Sequence, residues 1–369
     1  MFIFLSLMIG YSKLYERIND IAMQITSRQQ NIIDIITVLQ QAPISKIKEQ
    51  LHAHVSMPTL NREMAALVTE NYLLKIDRGR ATSYRISPFY KVFAPLAISE
   101  YFDKDPDARN ASTWFNFDLL TVLESVDLLT LQEKNRLSEL KQEYQGNISS
   151  LSPTLYKKEL ERLTIELSWK SSQIEGNTYS LLETERLFLE KEVAEDKTKE
   201  EATMLLNHKD ALNYLLDNKD IAKDLNLRVL EEIHSLLIKD LDVSRNIRSR
   251  SVGITGTAYK PLDNEHQIKE SLERMCSLIN ARDDGFEKAL LAVVLISYIQ
   301  PFEDGNKRTA RMISNALLIA YEACPLSYRS VDSMDYKKAM LIFYEQNNLA
   351  AFKQIFIEQN LFGVKNYFQ

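Results

Sequence analysis

Gln300-Pro301-Phe302-Glu303-Asp304-Gly305-Asn306-Lys307-Arg308-Thr309-Ala310-Arg311 is the stretch around which this chain is organised. Before it, Ala289 to Ile299 is an apolar run long enough for a buried helix; after it, Met312 to Ile319 is helical again. A short loop with a carboxylate pair, Gly-Asn and three cations therefore joins two core helices. That spacing places the N–H groups of Gly305, Asn306 and Lys307 at a helix start, where unpaired donors and a partial positive charge bind anions such as phosphate. Arg308 and Arg311 are three apart, on one helical face, where two guanidinium forks can grip phosphate oxygens. Asp304, just before the anion site, suits a magnesium ion bridging phosphates. The competing reading is a capped loop whose arginines only pair with carboxylates.

The 369 residues allow two or three domains. With only nine glycines and nine prolines, turn-rich β architecture is disfavoured and a mainly helical chain is expected. A net charge of −6 argues against a protein that coats nucleic acid non-specifically. Cys276 and Cys324 lie in apolar helical patterns without metal spacing, which reads as buried reduced thiols in a cytoplasmic protein. The apolar Met1 to Gly10 lacks a basic flank and a cleavage site and is too short to span a bilayer. A mis-assigned start, with Met8 or Met23 as the true one, explains it as well as targeting does. No other stretch reaches membrane-spanning length.

Along the chain, residues 1–30 are expected to hold an N-terminal helix (about 11–29). Residues 31–90 read as three short helices and a hairpin: Ile32 to Leu39, Ile44 to Leu51 after Pro43, a third opening at Ser56-Met57-Pro58, then strands at Tyr72–Ile76 and Thr82–Ile86. This order resembles a winged helix-turn-helix, which implies DNA contact through the third helix, with Arg62, and the hairpin tip, with Arg78 and Arg80. The charge support is thin, seven Lys/Arg against five Asp/Glu, and such modules also dimerise or dock peptides. Residues 91–150 read as a helical connector, with Gly146-Asn147 ending a helix before Pro153. From 151 to 369 the chain is helix upon helix.

Two further segments stand out. Ser171-Ser172-Gln173-Ile174-Glu175-Gly176-Asn177 closes a helix, and Gly176-Asn177 is an ordinary helix stop. Ser171 and Glu175, however, share a face there, and a carboxylate opposing the helix dipole calls for a cation, either Arg308 or Arg311. Val252-Gly253-Ile254-Thr255-Gly256-Thr257, running on to Pro261, mixes β-formers with glycines inside a helical region. It reads either as an exposed hairpin offering an edge to an extended partner or as a plain surface hairpin.

Together these three segments resemble the Fic (Fido) family, whose active loop runs His-Pro-Phe-x-(Asp/Glu)-Gly-Asn-(Gly/Lys)-Arg-x-x-Arg. The similarity spans roughly residues 110–360. It implies a helical domain with a small β-hairpin flap, beside an N-terminal winged-helix domain. The implied activity binds ATP with magnesium and moves AMP onto a Ser, Thr or Tyr hydroxyl of a target protein. By the same resemblance Asp304 would hold the metal, Gly305 and Asn306 would cradle the inner phosphates, and Lys307 would join that cradle. Arg308 and Arg311 would bind the outer phosphates. Ser171-x-x-x-Glu175-Gly176 is similar to the family's inhibitory motif, whose glutamate pairs with the last arginine and blocks the γ-phosphate. Val252 to Thr257 would align the target segment.

Two departures qualify the activity. Gln300 stands where the family has its catalytic histidine, and an amide cannot take a proton near neutral pH. Loss of a positioned base costs about 10²–10⁴ in rate. His234 and His266 lie far upstream, and Glu303 falls at a variable position. Lys307 stands where many members have glycine, a feature shared with the phosphorylating Doc toxins. An enzyme with weakened adenylyl transfer, a silent ATP-sensing regulator acting on DNA or a protein through its winged helix, and a Doc-like phosphotransferase all remain as readings. The target protein is unidentified, and monomer and homodimer are both open.

Overall fold

The computed structural model describes residues 25–51, 55–78 and 81–369. They form two compact units. The described residues up to 111, with 121–127 and 346–351, make the first; 112–120, 128–345 and 352–369 make the second. Met8, Met23 and most of the expected N-terminal helix lie outside the described residues.

In the first unit α1 (Ser27–Leu39) begins at Thr26, which accepts from the Gln29 N–H while the Gln29 side chain accepts from the Thr26 N–H. This reciprocal cap satisfies two donors that a helix start leaves unpaired. Pro43 holds the chain extended in β1 (Ala42–Pro43), and α2 (Ile44–Gln50) follows. In α3 (Met57–Thr69) Ser56 caps the Thr59 N–H, and Pro58 sits in the first turn, where its missing N–H costs nothing. β2 (Leu73–Arg78) and β3 (Ala81–Ile86) pair antiparallel from Leu73↔Ile86 to Arg78↔Ala81. β1 joins β3 on its other edge, giving the order β1-β3-β2. Leu60, Met64 and Leu67, at helical spacing, bury against Ile32, Ile33, Ile36 and Leu73. The short α4 (Pro88–Phe93) and α5 (Ile98–Phe102) also lie here, so residues 91–111, expected as connector, pack within this unit.

The helix α6 (Leu119–Glu124) carries residues of both units, and α7 (Leu131–Ser150) and α8 (Pro153–Ile174) follow in the second. The expected stop at Gly146-Asn147 is wrong: α7 runs through it, because a single glycine only weakens a helix. The break comes at Ser152-Pro153, where the serine caps α8. Then follow α9 (Leu181–Glu190), α10 (Lys199–Asp217), α11 (Leu227–Leu237) and α12 (Glu265–Asn280). At the centre are α13 (Gly285–Ile299) and α14 (Asn306–Ala320), packed on each other, with α15 (Ser333–Gln346) and α16 (Ala350–Asn366) completing the order. α13 is buried from Phe286 to Ile299, as an apolar-all-round helix must be. α14 also touches α8, α10 and α11.

The segment Val252–Pro261 corrects the hairpin expectation. It forms no strand pair: it turns at Thr255-Gly256, with Gly256 at φ 87°, and its one bridge joins Lys260 in parallel to Trp114. Its far end is pinned instead by Tyr259, buried and stacked on Tyr298, whose hydroxyl donates to the Tyr298 carbonyl at 3.0 Å. Cys276 and Cys324 are buried and free. No helix among the described residues is long and apolar enough to cross a membrane.

Candidate functional site

The loop between α13 and α14 is held from three sides. Gln300 ends α13 in the left-handed region (φ 51°, ψ 62°), its side chain donating to the Ser297 carbonyl at 2.6 Å. Arg248, buried, donates from Nε to the Gln300 carbonyl at 2.6 Å, from its backbone N–H to the Pro301 carbonyl at 3.0 Å, and from Nη1 to the Arg250 carbonyl. A cation thus caps the C-terminus of α13, where carbonyls lack helical partners. Arg248→Ala is expected to lower stability by about 1–3 kcal/mol, for the buried carbonyls left without a charged donor, read as a lower urea midpoint at unchanged slope.

Phe302 is fully buried and lies flat on the His234 ring, centroids 3.6 Å apart. The Asn306 side chain closes the loop on itself: Oδ1 accepts from the Phe302 N–H at 2.7 Å and Nδ2 donates to the Phe302 carbonyl at 2.8 Å. Its amide is therefore committed to the loop, which leaves its backbone N–H for an anion. Gly305 begins α14 at φ 78°, and a Cβ there would lie 3.3 Å from both His234 Cε1 and Ile238 Cγ2. Conformation and crowding both demand glycine. The first helical bond of α14 runs from the Thr309 N–H to the Gly305 carbonyl, so the N–H groups before it have no partner within the helix.

Arg308 is buried and pairs with Asp304, Nη2 to Oδ2 at 2.8 Å, while Nη1 reaches the Leu237 carbonyl. Asp304 is itself largely exposed. Among the described residues no group of three or more His, Cys, Asp or Glu side chains could hold a metal. A single carboxylate still suits magnesium that takes its other ligands from phosphates and water.

Arg311 is engaged through all three of its guanidinium nitrogens. Its Nε donates to Ser171 Oγ and its Nη2 to the Ser171 carbonyl, both at 2.8 Å; Nη2 also meets Glu175 Oε1 at 3.0 Å, and Nη1 lies 3.4 Å from the Tyr336 hydroxyl. Glu175 Oε2 lies 3.5 Å from Lys307 Nζ, so two cations hold one carboxylate. Burial alone would raise the Glu175 pKa, but Arg311 first, then Lys307 and Arg308, outweigh it and hold the group below its ordinary value. Gly176 (φ 102°) and the Asn177 N–H, bonded to the Ser172 carbonyl, turn the chain out of α8 just beyond.

Ser171, Glu175, Asp304, Lys307, Arg308 and Arg311 thus come together. Lys307, expected in a phosphate cradle, here faces Glu175. Val252 to Thr257 lie between the Arg248 anchor and buried Tyr259, with Gly253, Thr255 and Gly256 exposed. In the first unit Arg62 is exposed on α3, Arg78 ends β2, and Arg80 lies outside the described residues. Sequence reasoning missed His208, Arg248 and Tyr336, and it passed over His234 as too distant. His234 is adjacent in space, yet it lies under the loop, with Nδ1 near Thr309 Oγ1 and its pKa lowered by burial to about 4. Nothing in their spacing signals these roles.

Residues 224–318 match the Fic/DOC family. Over 182 residues the chain is 27% identical to a protein adenylyltransferase Fic of Nematostella vectensis, covering 46% of this chain and 40% of that protein. Over 153 residues it is 26% identical to protein adenylyltransferase fic-1 of Caenorhabditis elegans, covering 40% and 30%. The chain therefore spans less than half the length of these relatives. Among solved structures it resembles Fic-1 from C. elegans (residues 134–508) with a TM-score of 0.57 at 16% identity, covering 88% of this chain and 91% of that one. It also resembles a Fic-domain signalling protein from Bacteroides thetaiotaomicron with a TM-score of 0.52 at 19% identity, covering 62% and 96%. These structural likenesses speak for the fold alone. The loop described above falls inside residues 224–318, the segment that matches the Fic/DOC family.

Proposed function

We propose that this chain binds ATP at the start of α14, that Glu175 keeps that site closed to the outer phosphate, and that the chemistry is adenylyl transfer weakened by Gln300. The observation that carries the reading is the Glu175–Arg311 contact, in which a protein carboxylate occupies the guanidinium an outer phosphate would need. Arg308 and the first-turn N–H groups of α14 would receive the phosphates, and Asp304 would hold magnesium, which when bound supplies charge neutralisation. In the transfer a target Ser, Thr or Tyr oxygen bonds to the α-phosphorus, the bond to the bridging oxygen breaks, and pyrophosphate leaves. The hydroxyl proton needs an acceptor, and Gln300 provides none.

That last point supports a second reading, an ATP sensor that transfers nothing. Lys307 faces Glu175, so a Doc-like phosphotransferase gains no support from it. The first unit, with helix, short strand, two helices and a two-stranded wing, supports the winged-helix reading, with α3 and the wing meeting DNA or a protein partner.

ATP with magnesium is expected to raise the melting temperature, since a ligand of the folded state stabilises it by mass action. The shift should vanish in Arg308→Ala. No shift in either the unaltered chain or Glu175→Gly would defeat both readings. For the first unit, DNA affinity should fall steeply with salt and weaken in Arg62→Ala. Salt-independent binding would instead point to a protein partner.

A further inference from the structure

His208 lies on α10, buried, and touches neither Glu175 nor the Gln300–Arg311 loop in any bond described above. Its ring nevertheless completes a chain of hydrogen bonds that begins at Arg311. The Arg311 Nε–H can only donate, and it donates to Ser171 Oγ at 2.8 Å. The serine proton must then go elsewhere, and His208 Nε2 is 2.9 Å away. On the other side of the ring Nδ1 lies 3.0 Å from the Met204 carbonyl, which can only accept. Nδ1 therefore carries the ring proton and Nε2 is bare. The direction is set throughout: Arg311 to Ser171, Ser171 to His208, His208 to the Met204 carbonyl. Each of these side chains is at most 1% exposed, so no water competes for the bonds.

We infer that His208 is a positioning residue for the clamp: by accepting the Ser171 proton it keeps a serine lone pair aimed at Arg311 and so holds the guanidinium where Glu175 meets it. This rests on the reading of Glu175 as the group that closes the nucleotide site. A buried helical serine without such an acceptor turns its hydroxyl back to the carbonyl four residues earlier. Here that rotation would direct the lone pair away from Arg311 Nε. The bond requires a neutral ring, and the surroundings enforce one. Burial, then Arg308 and Arg311, lower the His208 pKa, with only the Met204 bond and Glu175 opposing, to about 3. The brace is therefore constant through the physiological range and is no pH switch.

Asparagine and glutamine separate the two ring nitrogens. His208→Asn keeps a donor near the Nδ1 position but does not reach Ser171, whereas His208→Gln places an amide oxygen near Nε2. With Glu175 present, His208→Asn is expected to tighten ATP binding about 3- to 10-fold, the value of one buried hydrogen bond acting on the clamp. His208→Gln should stay within about twofold of the unaltered chain. His208→Asn should change nothing further in a Ser171→Ala or a Glu175→Gly background. Ring 15N shifts in the unaltered chain should report the Nδ1–H tautomer and no titration between about pH 5.5 and 8, given an ordinary histidine pKa near 6.5. If Glu175→Gly tightens ATP binding while His208→Asn does not, or His208→Gln behaves like His208→Asn, the positioning role is overturned and the clamp reading stands. An Nε2–H tautomer, or titration near neutrality, overturns it equally. If Glu175→Gly does not tighten ATP binding, the clamp reading fails and takes this role with it, whatever the ring shifts show.

Discussion

Adding Gln300→His to Glu175→Gly is expected to raise transfer of labelled α-phosphate from ATP to protein by about 10²–10⁴ over Glu175→Gly alone, the usual contribution of a positioned general base. The backbone is ready for the change. Gln300 already sits in the left-handed region, which histidine tolerates better than most residues, and Arg248 holds the carbonyls on either side. The substitution gives up only the bond from Gln300 to the Ser297 carbonyl. The unaltered chain should label at background, because the clamp and the missing base act together. Strong labelling by Glu175→Gly alone would show that Gln300 does not limit the chemistry. No labelling even by the double variant, in the presence of whole-cell lysate, would leave the ATP-sensing reading.

Glu175→Gly is itself expected to destabilise the second unit by about 3 kcal/mol without nucleotide. Removing one partner of a buried ion pair costs roughly 3–5 kcal/mol, and the bonds that Arg311 keeps to Ser171 and Tyr336 place this case at the lower end. For a unit of this size that is about 6–10 °C in melting temperature. ATP should then recover more stability in the variant than in the unaltered chain, since its outer phosphate replaces the lost carboxylate. The sign with pH follows from the lowered Glu175 pKa. The pair's contribution is fully present above the ordinary value of 4.5 and is lost as pH falls through the lower folded value. The difference between variant and unaltered chain should therefore be the same at about pH 6 and pH 8 and shrink only in acid. An equal melting temperature for the two proteins at neutral pH would mean that Arg311 does not depend on Glu175.

The local signals in the sequence were strong where backbone preference decides the outcome. The loop between α13 and α14 could be read from its apolar flanks and Gly305, because an apolar-all-round helix must be buried and only glycine suits that helix start. The three helices and hairpin of the first unit followed from caps at Ser56-Pro58 and from strand alternation. Local signals misled where one residue was asked to settle an element: Gly146 does not end α7, and the β-formers of Val252–Pro261 find no strand partner.

The pairing of Arg311 with Glu175 was expected only from the resemblance, since spacing alone left Arg308 and Arg311 both open. That Lys307 joins the same carboxylate, and that His208 and Arg248 brace the site, are outcomes of packing segments distant in sequence. Sequence spacing determines which side chains share a helical face, so it presented Ser171 with Glu175 and Arg308 with Arg311. It carries no information about which face meets which. Only the burial of α14 against α8, α10 and α11 decided that, because a buried guanidinium must find its acceptors wherever the fold supplies them.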